Sequence, residues 1–221
     1  MKTYRVVEIF RTVQGEGFHA GTPAVFVRFA GCNLWSGHDG DRERDATRND
    51  AACPRWCDTD FRHGESLTAA QIVKRANEEA LLSAAKLIVL TGGEPMLQVD
   101  AALMKALRAQ RGRTIAVETN GTRSPAGGVV FDWVCVSPKF PMRRLAIKSA
   151  DELKVVFPDF DPRSYSRFRA THRFIQPRAG ISGVGVSAID SDITNRAYRF
   201  VMCTPGWRLS TQTQKVGGGF R

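Results

Sequence analysis

The sequence predicts an α/β fold, on three observations. Short β-rich runs alternate with helical ones, the order expected of parallel strands joined by crossover helices. The clearest helical run opens on a capping-box pair, Thr68 with Gln71. Three apolar runs end in polar clusters, Thr91-Gly92-Gly93-Glu94-Pro95, Glu118-Thr119-Asn120-Gly121 and Ser137-Pro138-Lys139. Polar groups at successive strand ends line one mouth of a β/α barrel, the face where ligands bind.

Taken in order, the candidate strands are Tyr4 to Val13, Ala24 to Ala30, Lys86 to Thr91, Thr114 to Glu118, Trp133 to Ser137, Leu153 to Phe157, Arg173 to Gln176 and Arg208 to Gln212. The first helix spans about Thr68 to Ser83, with Ile72, Ala76, Glu79 and Ala80 at helical spacing. A second follows Asp100 and places Leu103, Ala106 and Leu107 on one face; a third spans Ile189 to Met202. Asn33 to Ala52 is polar, charged and aperiodic, so a loop or insertion is expected there. A glycine-containing loop, Arg178 to Gly185, separates the last helix from the preceding strand.

At 221 residues the chain is long enough for one sizeable core, so a single domain over 1–221 is expected. No apolar run approaches the roughly 18 residues of a membrane span, and Met1 to Glu8 carries no long apolar stretch of a signal peptide. A cytoplasmic location is expected. Five cysteines is an odd number, which favours reduced thiols and a metal over a secreted disulfide framework. Cys135 and Cys203 fall in a strand and at a helix end, where a buried thiol acts as a small hydrophobe. The net charge of +10 invites a nucleic-acid reading, yet the charge is spread. Arg42, Arg44 and Arg48 alternate with Asp41, Glu43, Asp45 and Asp50, and no aromatic-interleaved basic module occurs. A solvated surface is the better reading, and bound anionic ligands could account for part of the excess.

Cys32, Cys53 and Cys57 carry the strongest chemical signal. Cys32 follows the apolar strand Val25 to Gly31, and Cys53-Pro54-Arg55-Trp56-Cys57 brings two more sulfurs within reach of the same centre. Three thiolates are one short of a closed tetrahedral zinc or 4Fe-4S site, so one metal position is left for a non-protein ligand. The alternative is two unrelated buried cysteines beside a third. In the glycine-acid run, Gly92 and Gly93 let a ligand approach the backbone closely, and Glu94 could accept hydrogen bonds from an ammonium group; the run could also be a plain turn after a strand. Gln14-Gly15-Glu16-Gly17 could read the donor and acceptor edges of a heterocycle, or form a plain hairpin turn. Arg28, in an otherwise apolar strand, needs an acid or a ligand carboxylate as partner. Asp58-Thr59-Asp60 offers oxygen ligands to a hard cation.

Together these segments resemble the radical S-adenosylmethionine enzymes of the 7-carboxy-7-deazaguanine synthase family. The likeness runs along nearly the whole chain. Besides the segments above, it is carried by Thr12-Val13, Phe29-Ala30-Gly31, Asn33-Leu34-Trp35, Phe61, Glu152 to Val156, Gln176-Pro177 and Trp207 to Ser210. The resemblance implies a trimmed, incomplete β/α (partial TIM-like) barrel of the radical S-adenosylmethionine type, with a cluster-binding loop at about 32–65. It implies a 4Fe-4S cluster on Cys32, Cys53 and Cys57, with S-adenosylmethionine on the open iron. The reduced cluster then cleaves the sulfonium, and the resulting radical takes hydrogen from 6-carboxy-5,6,7,8-tetrahydropterin, whose ring contracts with loss of ammonia.

By the same resemblance, Trp56, Cys57, Asp58, Gly93, Glu94, Ser137, Pro138, Lys139, Gln176, Pro177, Arg178 and Ala179 face S-adenosylmethionine. Val13, Gln14, Gly15, Glu16, Arg28 and Thr91 would hold the pterin, and Thr59 matches a magnesium ligand. A homodimer and an external flavodoxin-like one-electron reductant are implied, with neither membrane nor nucleic acid as a partner. Two departures from the family pattern stand out. Three residues rather than two separate Cys53 from Cys57, and Gln214 stands where a histidine is usual, ahead of the atypical tail Val216 to Arg221. Two rival readings are a glycyl-radical activase and a zinc-containing nucleic-acid-binding protein with His38 or His63 as fourth ligand. Gln14, Glu16 and Arg28 argue against the activase, which needs no pterin pocket.

Overall fold

A computed structural model describes residues 2–181 and 187–215. The chain opens with an antiparallel hairpin, β1 (Thr3–Val13) and β2 (Pro23–Phe29), and continues through α1 (Arg42–Asn49) and a 3-10 turn at Cys53–Arg55 to β3 (Glu65–Thr68). Then come α2 (Ala69–Leu81), β4 (Leu87–Gly92), α3 (Ala101–Arg108), β5 (Thr114–Thr119), β6 (Trp133–Val136), β7 (Ser149–Phe157) and β8 (Arg169–Pro177). A small hairpin of β9 (Ala179–Ile181) and β10 (Ser187–Ile189) leads into α4 (Ser191–Cys203) and β11 (Arg208–Leu209).

The main sheet has the order β11-β8-β7-β6-β5-β4-β2-β1-β3. From β2 through β11 the neighbours are parallel, and β1 and β3 add an antiparallel edge. Its curvature shows in contacts across it. Phe18 and His19, in the β1–β2 loop, pack on Trp133 of β6, and Phe18 also on His172 of β8; Thr213, beyond β11, donates from its amide to the Gly15 carbonyl. The sheet is an open, partial barrel whose two flanks meet at the β1–β2 loop.

β4 shows why the parallel strands read as unbroken apolar runs: both of its faces are buried. Ile88 and Leu90 join Val25, Val27, Ile115 and Val117 in the helix-covered core, while Leu87 and Val89 meet Ala24 and Ala116 inside the barrel. α2 lays Ile72, Ala76 and Ala80 on that core, and α3 adds Leu103, Met104 and Leu107. The capping box is formed as expected: the Gln71 amide donates to Thr68 Oγ1 and the Thr68 amide to Gln71 Oε1. Asp100 and Asp190 cap α3 and α4 in the same manner. No helix among the described residues is long and apolar enough to cross a membrane.

The structure departs from the expected elements in four places. Crossover helices are missing between β5 and β6, β6 and β7, and β7 and β8, where only turns and 3-10 segments occur. Gly and Pro in Gly121 to Gly128 and in Pro158 to Pro162 deny those segments helical continuity. The expected loop Asn33 to Ala52 instead contains α1, which has no apolar stripe. Charge and two buried side chains hold it: Asp45 accepts from the Ser36 amide and Arg44, Ala46 packs inward, and the helix ends on Asp50 in the left-handed region. Part of the expected Arg178 to Gly185 loop forms β9, and 182–185 lie outside the described residues. Cys135 is buried as expected, but Cys203, the last residue of α4, is exposed.

Candidate functional site

The glycine-acid run does its first work on the backbone. β2 and β4 run parallel with Phe29 opposite Gly92. A Cβ on Gly92, at φ +134°, would lie 2.2 Å from the Phe29 carbonyl oxygen, and one on Gly93 would lie 2.1 Å from that of Gly31. Only glycine permits this approach. It lets the Gly93 amide donate to the Phe29 carbonyl (3.2 Å) and the Glu94 amide to that of Gly31 (2.9 Å). Cys32 is thereby fixed at the rim of the sheet.

The other two cysteines sit on a short turn. The Cys57 amide donates to the Cys53 carbonyl at 2.7 Å, a bond that absorbs the third intervening residue, with Pro54 near the start of the turn where its missing N–H costs nothing. Arg42 of α1 clamps this turn by donating to the Pro54 and Cys57 carbonyls, its guanidinium 4.2 Å from the Trp35 ring centroid. The Ala52 amide donates to the Lys139 carbonyl, which ties the turn to the loop after β6.

Cys32, Cys53 and Cys57 are all unpaired and line one cavity of about 1200 Å³ at the strand ends. Burial raises all three thiols above their ordinary range, Cys32 to about 11. Among the described residues no three His, Cys, Asp or Glu side chains form a single-ion site, and His38 and His63 do not line the cavity. Three free thiols that line one cavity without forming a single-ion group fit an iron–sulfur cubane, whose cysteines bind separate irons.

The same cavity carries the residues expected to meet a heterocycle. Gln14 to Gly17 lie in a hairpin loop, of which Gln14, Gly15 and Glu16 line the cavity, as do Val13, Arg28 and Thr91. Arg28 donates from Nε to Glu8 at 2.7 Å. Among the described residues its two terminal nitrogens take no hydrogen-bond partner. Gln14 Nε2 donates to Glu118 Oε1 (3.0 Å), and Thr91 Oγ1 to Glu118 Oε2 (3.3 Å). Glu16 accepts from Lys154 Nζ at 2.6 Å and from Gln212 and Gln214 at 2.8 and 2.9 Å. Burial alone would raise the Glu16 carboxyl, but the Lys154 charge and these donors outweigh it and hold it at about 2.

Lys154 was not singled out from the sequence. It sits in the alternating Leu-Lys-Val stretch of β7, where a lysine ordinarily marks a solvated face; here that face is the barrel interior, and Lys154 is 4% exposed. Gln212 and Lys215 also line the cavity without a sequence signal. Lys215 Nζ donates to Asp58 Oδ2 at 2.7 Å, so the segment after β11 reaches across to the cysteine turn. Val216 to Arg221 lie outside the described residues.

Trp56, Asp58, Thr59, Gly93, Ser137, Lys139, Gln176, Arg178 and Ala179 line the same cavity, whereas Glu94, Pro138 and Pro177 do not. Glu94 is fully buried behind the wall. Its carboxylate accepts from the Met96 amide (2.9 Å), Thr119 Oγ1 (2.8 Å) and the Asn120 amide (2.8 Å), which joins the ends of β4 and β5. Glu94 Oε1 thus takes two of these donors and Oε2 the third.

No family model matches the chain. Curated proteins do. The chain is 40% identical to the 7-carboxy-7-deazaguanine synthase of Bordetella pertussis, over 97% of this chain and 98% of that protein. It is 43% identical to the enzyme of the same name from Nitratidesulfovibrio vulgaris, over 98% and 99%, and 42% identical to that of Caulobacter vibrioides, over 98% and 99%. The crystal structure of QueE from Escherichia coli superposes with a TM-score of 0.67 at 22% identity, covering 95% of this chain and 94% of that one, and shares the partial-barrel fold. On this end-to-end similarity, the chain belongs to the 7-carboxy-7-deazaguanine synthase family.

Proposed function

We infer that this chain is a radical S-adenosylmethionine lyase that converts 6-carboxy-5,6,7,8-tetrahydropterin to 7-carboxy-7-deazaguanine with loss of ammonia, a step of 7-deazapurine and queuosine biosynthesis. One observation carries the reading: in a chain related end to end to named synthases, the three cysteines and the heterocycle-facing residues line one cavity. Cys32, Cys53 and Cys57 would hold a 4Fe-4S cluster. When bound, the cluster and S-adenosylmethionine supply the one-electron chemistry that starts hydrogen abstraction.

The chain's own residues bind and orient. Arg28, with Nε occupied by Glu8, directs its terminal nitrogens to a ligand carboxylate bidentately. Gln14, Glu16 and Thr91 set hydrogen-bonding positions for the heterocycle. Trp56, Asp58, Gly93, Ser137, Lys139, Gln176, Arg178 and Ala179 would contact S-adenosylmethionine, and Thr59 would meet magnesium. We read 1–221 as one domain acting as a homodimer with a flavodoxin-like reductant. Anaerobic incubation of cluster-replete protein with S-adenosylmethionine, reductant, magnesium and the carboxytetrahydropterin should release the deazaguanine acid. Absence of that product overturns the reading.

A further inference from the structure

We propose that Lys154 is a positioning residue whose ammonium, lodged between Glu16 and Glu118, keeps Glu16 ionised and fixes both carboxylates as acceptors for the N–H edge of the bound pterin. The inference rests on the pterin reading above. Lys154 Nζ lies 2.6 Å from Glu16 Oε2 and 3.6 Å from Glu118 Oε1, and all three residues line the cavity. Each carboxylate is also steadied from its far side: Glu16 by Gln212 and Gln214, Glu118 by Gln14 and Thr91.

The charges around this lysine come from every neighbouring element. Glu118 of β5 registers with Cys135 of β6, and Cys135 with Glu152 of β7. Glu16 reaches in from the β1–β2 loop, and His172 of β8 registers with Glu152. Three carboxylates and a thiol therefore share this stretch of wall with one buried ammonium. Two carboxylates crowded in one poorly solvated site raise the pKa of one of them unless a counter-charge lies between them. A protonated carboxyl donates where the ligand's N–H also donates, and the pairing fails. With the lysine present, Glu16 is held well below its usual range and Lys154 well above its own, so this ion pair stays charged across physiological pH.

The test is the pH dependence of pterin binding by the apoprotein, read from the fluorescence of 6-carboxypterin, the oxidised analogue of the substrate. Relative to wild type, Lys154→Met should lose affinity steeply from pH 7 to pH 5. A carboxyl that titrates within that range loses most of its ionised fraction, so the loss should be roughly tenfold or more. Lys154→Arg, which restores the cation, should follow the wild-type profile. His172 is common to all variants, so the difference from wild type isolates the lysine. Lys154→Gln serves as a second neutral variant if Lys154→Met does not fold. A neutral variant that is weaker by the same factor at both pH values overturns the proposal. Unfolding of both neutral variants while Lys154→Arg folds also overturns it, since the lysine is then structural. Failure of the wild type to bind the pterin overturns the functional reading itself, and the inference with it. Binding with no pH-dependent difference removes the inference alone.

Discussion

Replacing Glu94 by alanine should unfold the chain more readily before it affects any ligand. Its buried carboxylate accepts three hydrogen bonds, from the Met96 and Asn120 amides and the Thr119 hydroxyl. Thr119 Oγ1 in turn accepts from the Gly121 amide, so one carboxylate organises the whole β5 end. A buried donor left without a partner costs about 1–3 kcal/mol, and partial rearrangement or water entry recovers some of that. For three donors the expected loss is about 3–5 kcal/mol. With a urea slope of about 3 kcal/mol per molar, the unfolding midpoint should fall by about 1–2 M. Glu94→Gln keeps one acceptor but turns an NH2 toward a donor, and should lose roughly half as much. Equilibrium urea unfolding of the apoprotein, followed by far-UV circular dichroism and tryptophan fluorescence, reads both variants. A midpoint for Glu94→Ala within about 0.3 M of wild type would refute the argument that this carboxylate joins β4 to β5.

Three further outcomes are expected. Asp100 caps α3 and accepts from Lys2 and Tyr4; burial would raise it, but these donors and the Leu103 amide hold it at about 2. A folded-state pKa below the unfolded one adds stability above the unfolded value and loses it as pH falls toward 2. Asp100→Ala should therefore cost about 1–2 kcal/mol at pH 7 and flatten acid unfolding between about pH 4 and 2, measured by thermal melts across pH. Gly93→Ala should displace Cys32, because its Cβ meets the Gly31 carbonyl; iron and sulfide retained after reconstitution should drop well below wild type while the far-UV spectrum is kept. Cys57→Ser should abolish the visible iron–sulfur absorption, with a thermal midpoint within a few degrees of the wild-type apoprotein.

The parts of this molecule legible in its sequence are those set by local rules. The Thr68–Gln71 capping box and the apolar spacing of α2 depend on neighbours along the chain, and both stand in the structure. The β4 run is likewise local, since a strand buried on both faces leaves a compositional trace; the two glycines after it announce a close approach to the backbone, but the group that approaches is the β2 backbone rather than a ligand. What escaped depended on partners far away in sequence. α1 lacks an apolar stripe because Asp45, Arg44 and Arg42 hold it through polar contacts to Ser36, Pro54 and Cys57. Lys154, within the Glu152 to Val156 segment, takes no role from the sequence because nothing near it in sequence announces Glu16 or Glu118. The donors to Glu94 on Thr119 and Asn120 lie at the end of the next strand and leave no mark beside it in the sequence. The three missing crossover helices follow from glycines and prolines whose effect on helix continuity is plain once the strands are paired.

The closure of the pocket by the segment after β11 bears on how the protein is made. Thr213 and Gln214 bond Gly15 and Glu16 across 198 residues of chain, and Lys215 reaches Asp58. The β1–β2 loop leaves the ribosome well before these partners are made. A nascent chain that stops short of the segment after β11 cannot hold the finished pocket, and the loop carrying Glu16 waits, its acid unmatched by the glutamines, until that segment has emerged.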